Sequence, residues 1–126
     1  MKRAARPVVA VAAAMVLLLA CGGDDPDQPS TEVVDDGASA TFEYVIPAGA
    51  GEALDAGTPL EILPAELDAE VGDTIRIENE DDRGHTVGPF FVGAHETLTQ
   101  RFSSPGEFVG VCTVHPSGQI ILRVNA

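Results

Sequence analysis

The chain has 126 residues, of which 20 are acidic and seven are basic, and its formal net charge is −13. This length allows one domain. The strong acidity argues against binding to nucleic acid or to anionic lipid head groups.

The first 20 residues have the features of an export signal. Positions 2–6 contain three basic residues, and residues 8–19 form an apolar run that is too short for a comfortable membrane span. Residues 18–21, Leu-Leu-Ala-Cys, resemble the bacterial lipobox. The resemblance implies cleavage before Cys21, lipid on this cysteine, and anchoring at the extracytoplasmic face of the bacterial cell membrane. An ordinary signal peptide with a cysteine nearby is the alternative interpretation.

Residues 21–40 are expected to form a flexible tether, because they contain many acidic residues, no basic residue and few large apolar ones. After cleavage the chain would hold 20 acidic and four basic residues, a net charge of −16. If Cys21 carries lipid, Cys112 has no partner for an intramolecular disulfide. An unpaired thiol in an exported protein is expected to be buried or bound to a metal.

The composition of the sequence changes at Thr41, where strand-forming residues begin. Residues 41–126 are predicted to form one all-β domain. Alternating apolar residues predict strands, with Ile75 and Ile77 facing inward on one of them and Ile120, Leu122 and Val124 on the last. The predicted strands cover residues 41–46, 60–63, 65–71, 74–78, 85–88, 97–102, 107–112 and 120–124. Residues 47–59 are expected to be a loop, and no helix is expected between the strands. Many short strands separated by turns indicate a sandwich or a barrel.

Three side chains of this domain form a candidate metal site. Cys112 ends a predicted strand, His115 follows in a tight loop that Pro116 stiffens, and His85 begins another strand. One thiolate and two imidazoles are the donors that copper takes in trigonal electron-transfer sites. Zinc accepts the same residues and is an alternative metal.

The second half of the chain resembles the cupredoxins, the group of plastocyanin, amicyanin and azurin. The matching segments are Val-Gly-Asp-Thr at 71–74, Asn79, His-Thr-Val at 85–87, Ser-Pro-Gly-Glu-Phe at 104–108 and Cys-Thr-Val-His-Pro at 112–116. The resemblance implies a Greek-key β-sandwich, one copper ion bound by His85, Cys112 and His115, and electron transfer. Asn79 and Thr113 are then expected to hydrogen-bond across the two ligand loops, with ordinary turn chemistry as the alternative.

The axial position departs from the family pattern. Amicyanin-like members carry a methionine three residues after the second histidine, but this chain has Gly118 there and no methionine after residue 15. Gln119 is one candidate axial ligand, through its amide oxygen, and would lower the reduction potential. The other interpretation is a missing axial ligand, which would raise the potential. Strand parity is against Gln119, because it falls opposite the inward residues of the last strand.

The predicted function is that of a lipid-anchored, monomeric electron carrier, since no pattern of catalytic residues is present. Its expected partners are a cytochrome, a copper oxidase or a reductase, and the lipid is its only expected contact with the membrane. Copper delivery or storage is the main alternative, and a metal-free sandwich used for protein contacts is another. His95 is expected to be a solvated turn residue, with a second metal contact or a role in docking as alternatives. The acidic residues 80–82 lack the spacing of a calcium loop and are expected to be solvated.

Overall fold

The computed structural model describes residues 27–126, so the predicted signal peptide and the lipidation site at Cys21 lie outside the described residues. Nine strands and one short helix are present in the described part of the chain. They are β1 (Thr31–Val33), β2 (Phe42–Ile46), α1 (Ala50–Asp55), β3 (Glu66–Glu70), β4 (Thr74–Asn79), β5 (His85–Val87), β6 (Phe90–Val92), β7 (Thr97–Phe102), β8 (Gly106–Val111) and β9 (Gln119–Asn125). Within residues 27–126, no helix is long and apolar enough to cross a bilayer.

The strands form two larger sheets and a separate two-stranded ribbon. One sheet has the order β1-β7-β4-β2, the other has the order β3-β9-β8, and β5 pairs with β6. The pairs β2–β4 and β3–β9 are parallel, whereas the remaining pairs are antiparallel. The chain passes between the two larger sheets after β2, after β3 and after β7. The predicted fold class, an all-β Greek-key sandwich, is confirmed.

The core lies between the two larger sheets and follows from the alternation of the strands. Ile75 and Ile77 of β4 are at most 1% exposed, and Leu122 of β9 is 1% exposed. Ile120 and Val124 face the same core, as predicted. Burying each such side chain contributes about 1.5–3 kcal/mol to the stability of the fold. These residues therefore contribute much of the free energy that holds the two sheets together.

The folded region begins before Thr41, so the described part of the predicted tether at residues 21–40, namely residues 27–40, belongs to the domain. Strand β1 pairs with β7, and the amide of Val34 donates to the carbonyl of Thr99 at 3.2 Å. Arg76 donates to the carbonyl oxygens of Asp36 and Ala38. The acidic segment is ordered because its backbone completes a sheet edge and meets an arginine of the domain, which its composition alone does not reveal.

The contact between this segment and β8 depends on a glycine. A Cβ atom on Gly106 would lie 2.6 Å from the carbonyl oxygen of Asp27, closer than real Cβ contacts. The Asp27 carbonyl also accepts a hydrogen bond from the amide of Glu107 at 3.0 Å. Residues 27–29 therefore pack directly on the backbone at the start of β8.

Helix α1 is a second departure, since residues 47–59 were expected to be a loop without a helix. It has only six residues, fewer than an isolated helix needs for stability in water. Arg83 forms an ion pair with Asp55 in the last turn, and the amide of Gly51 donates to the carboxylate of Asp81 at 2.8 Å. These contacts with the loop before β5 stabilise the helix.

The segment that follows α1 contains no strand at residues 60–63, contrary to expectation. It is nevertheless tied to the domain, because the amide of Ile62 donates to the carbonyl of Val114 at 3.2 Å. Leu63 is 1% exposed and belongs to the core. The connection between the sheets therefore passes over the loop that carries His115.

Candidate metal centre

His85 lies at the beginning of β5 and is 3% exposed. Its ring has a neighbour at each nitrogen: Nε2 is 2.7 Å from Oδ2 of Asp81, and Nδ1 is 3.4 Å from Oγ1 of Thr113. Because Thr113 directly follows Cys112, the structure brings the ring of His85 to the loop that carries the other two predicted ligands.

The backbone around Cys112 holds this loop against β5. Val87 and Cys112 form an isolated antiparallel bridge, and the amide of Thr113 donates to the carbonyl of Thr86 at 2.9 Å. The hydroxyl of Thr113 also lies 3.3 Å from the same carbonyl oxygen. Thr113 thus contacts the strand of His85 through both its backbone and its side chain.

Cys112 is a free cysteine with no exposed surface. Burial raises the pKa of its thiol, because a thiolate loses hydration in the core. A thiol in such surroundings is protonated at neutral pH, so a metal ion must displace the proton to bind the sulfur.

The loop after Cys112 is closed by hydrogen bonds that fix its shape. The amide of Cys112 donates to the carbonyl of Gly118 at 3.0 Å, and the amide of Gly118 donates to the carbonyl of His115 at 2.9 Å. Nδ1 of His115 lies 2.7 Å from Oγ of Ser117 and accepts a hydrogen bond from the Ser117 amide at 3.1 Å. The ring of His115 is therefore turned toward Ser117.

Gln119 lies on the exposed side of β9. It pairs with Val111 across the β8–β9 ladder, and residues in direct register point to the same face of a sheet. Val111 is 59% exposed, whereas Cys112, the next residue, is completely buried. Gln119 and Cys112 therefore belong to opposite faces, and the structure does not bring the predicted axial residue to the thiol.

Asn79 is 1% exposed and organises the loop that leads to His85. Its Nδ2 donates to the carbonyl oxygens of Arg83 at 2.6 Å and Gly93 at 3.0 Å, and its Oδ1 accepts the amide of Asp81 at 3.0 Å. All these contacts lie within the loops around His85 and none reaches the loop that follows Cys112. The hydrogen bond between the two ligand loops is made by Thr113 instead.

Asp81 is the residue at this site that the sequence did not single out. It was grouped with the solvated acids 80–82, but it is 4% exposed. The hydrogen bond from His85 and the backbone hydrogen bonds from Gly51 and Gly49 hold its pKa at about 2, although burial alone would raise it. The available signal was the position of Asp81 four residues before a predicted ligand.

His95 lies in the turn after β6. It is exposed, its φ is 58°, and its Nε2 lies 2.7 Å from Oδ1 of Asp82. This is the solvated turn position expected from the sequence, with an exposed acidic neighbour.

The donor side chains do not form a closed metal-binding group. Among residues 27–126, no set of three or more histidine, cysteine, aspartate or glutamate side chains is arranged to hold a metal ion. The ring of His85 faces the cysteine loop, but the ring of His115 is held by Ser117. The donor types and the position of His85 nevertheless fit a copper site.

Comparisons with known proteins give structural matches only. No family model matches the chain, and no curated protein matches it in sequence. Amicyanin from Paracoccus versutus matches at 15% identity and a TM-score of 0.48, covering 78% of this chain and 100% of that chain. A methionine-to-alanine mutant of amicyanin in its Cu(I) form matches at 17% identity and a TM-score of 0.48, covering 75% of this chain and 98% of the other. A purple cupredoxin from Nitrosopumilus maritimus matches at 20% identity and a TM-score of 0.42, covering 67% and 99%. These similar structures are cupredoxins, the family that the sequence resembles.

Proposed function

We propose that this domain binds one copper ion through His85, Cys112 and His115 and carries single electrons between redox partners outside the cytoplasm. The observation that supports the proposal best is the 3.4 Å contact between Nδ1 of His85 and Oγ1 of Thr113. It links a buried imidazole to the residue next to a buried free thiol, although His85 and Cys112 are 27 positions apart along the chain.

The chemistry of these donors suits one-electron transfer. Copper accepts and releases single electrons, and a thiolate with two imidazoles is its usual donor set in electron-transfer proteins. Two of the donors are buried in the domain: His85 begins β5, and Cys112 directly follows β8 and belongs to the core. His85 and Cys112 are almost fully buried, so water is kept away from this side of the site.

His115 is the donor that must change its contacts. In the proposal its ring exchanges Ser117 for the metal, while the hydrogen bond from Gly118 to the His115 carbonyl keeps the loop closed. Gln119 is left out of the proposed site because of its exposed position opposite Cys112.

We further propose that lipid on Cys21 anchors the protein at the extracytoplasmic face of the bacterial membrane, and that the domain works as a monomer. The partners that this role requires are electron donors and acceptors such as a cytochrome, a copper oxidase or a reductase. The acidic surface of the domain should be repelled by anionic lipid head groups. This supports the proposal that the lipid on Cys21 is the only attachment to the membrane.

The test is to add Cu(II) to the purified mature chain and record its visible spectrum. We expect a strong thiolate-to-copper absorption band, which Cys112→Ser abolishes and which His85→Asn and His115→Asn weaken or abolish. His95→Asn is the matched control and should leave the band unchanged. A protein that stays colourless and binds only Cu(I) would instead support copper delivery or storage, and a protein that prefers Zn²⁺ would refute the electron carrier.

A further inference from the structure

We propose that Asp81 is a positioning residue of this copper site, whose carboxylate holds His85 in the tautomer that leaves Nδ1 free for the metal. The inference rests on the proposed function, but its first consequence concerns the metal-free protein. It assigns a role to a buried acid that the resemblance to cupredoxins did not single out.

The position of the proton follows from the hydrogen bonds of Asp81. Oδ1 accepts the amide of Gly49 at 3.2 Å, and Oδ2 accepts the amide of Gly51 at 2.8 Å. Both oxygens thus act as acceptors for backbone amides, as in an ionised carboxylate. At 2.7 Å from Oδ2, Nε2 of His85 must then supply the proton of the shared hydrogen bond.

A neutral imidazole has one ring proton, so a proton fixed on Nε2 leaves a lone pair on Nδ1. Nδ1 contacts the hydroxyl of Thr113 at the long distance of 3.4 Å. The single proton of that hydroxyl has another acceptor, the carbonyl of Thr86, at 3.3 Å. No strong donor therefore competes for the lone pair, which faces the residue next to Cys112.

Asp81 is itself held rigidly, as a positioning residue should be. Its backbone amide donates to Oδ1 of Asn79 at 3.0 Å, and its side chain is anchored by the two amides at the start of α1. Burying a carboxylate is costly, and these amides alone would be satisfied by a neutral acceptor. Carboxylates behind metal-binding histidines orient the ring and increase its basicity, which accounts for a charged residue here.

The experiment compares the mature chain with Asp81→Asn in two measurements. The first is long-range ¹⁵N–¹H NMR of the metal-free proteins, which reports which nitrogen of His85 carries the proton. We expect the Nε2–H tautomer in the wild type and a mixture of tautomers in the variant, since a neutral amide holds the ring less firmly. The second is the affinity for Cu(II), which we expect to fall about 10- to 100-fold in the variant.

Two matched controls separate positioning from other effects. Asp82→Asn removes the same charge from an exposed neighbour that contacts His95 instead of His85. Asp55→Asn removes the ion pair of α1 with Arg83 without altering Asp81 or His85 themselves. Both controls should keep the wild-type tautomer and the wild-type affinity.

The proposal is overturned if Asp81→Asn keeps both the tautomer and the affinity, or if Asp55→Asn reproduces the change. If Asp81→Asn does not fold, the tautomer of His85 in the wild type is the test. A proton on Nδ1 of His85 would then refute the proposal. A different result would refute the proposed function alone. In that case the Nε2–H tautomer would be present and would depend on Asp81, but the wild type would not bind copper.

Discussion

At the scale of single residues, the position of Gln119 decides how the axis of the proposed site is filled. Gln119 is exposed and in register with Val111, on the face opposite Cys112. An amide oxygen on that face is poorly placed to coordinate a metal bound to the buried sulfur. If the domain binds copper as proposed, we therefore expect that residue 119 does not coordinate it.

This geometry makes a prediction for Gln119→Met. We expect the reduction potential of the copper-loaded variant to equal that of the wild type, because the substituted side chain does not reach the metal. A redox titration of both proteins under the same conditions measures the difference. A clear shift in potential after this substitution would show that residue 119 reaches the metal, contrary to its exposed position in the structure.

Residue-level prediction from sequence succeeded where periodicity and local spacing carry the information. The inward positions of β4 and β9 follow from strict alternation. It failed at Asp81, because an acid between two other acids looks solvated unless its hydrogen-bond donors are known. Those donors come from α1, about 30 residues earlier in the chain, so local sequence did not reveal the burial.

At the scale of elements, the N-terminal strand is part of the sandwich. Strand β1 forms an edge of the four-stranded sheet, and residues on both sides of it are tied to the domain. The amide of Ser103 donates to the carbonyl of Ser30 at 2.9 Å, and the hydroxyl of Thr99 donates to the carboxylate of Asp36 at 2.9 Å. The boundary predicted at Thr41 therefore cuts through the folded unit.

We expect a metal-free chain that begins at Thr41 to be less stable than one that begins at Asp27. It loses β1 and the backbone acceptors of Arg76 and exposes the edge of β7. Each lost hydrogen bond contributes about 0.5–1.5 kcal/mol, so the free energy of unfolding should fall by roughly 2–4 kcal/mol. Urea denaturation of both chains measures the change. Equal midpoints with equal slopes would mean that residues 27–40 do not stabilise the domain.

Strands and helices could be predicted from the sequence when their own residues carry a clear periodic pattern. The long strands were predicted close to their observed bounds, because their alternation and the turns around them are local. Strand β1 has three residues and α1 has six, too few for a periodic pattern. Both are stabilised by distant partners, such as Arg83 for α1, and this explains why they were missed.

At the scale of the whole molecule, the ordered segment shortens the predicted connection to the membrane. Asp27, whose carbonyl already contacts β8, is only six positions after Cys21. Fully extended, six residues span at most about 20 Å. If Cys21 carries lipid, as we propose, the domain lies close to the bilayer, and its redox partners must present their sites near the membrane surface.

The net charge of −16 of the proposed mature chain should set the preference among such partners. We expect the rate of electron exchange with a basic cytochrome to fall at least about ten-fold as salt rises, because electrostatic steering speeds encounters by 10–10³-fold and is then screened. The Debye length shortens from about 30 Å at 0.01 M salt to about 8 Å at 0.15 M. Stopped-flow kinetics over this range measure the effect. An acidic cytochrome of similar potential is the control and should react faster as salt rises. If both partners respond to salt in the same way, the acidic surface serves solubility and does not select partners.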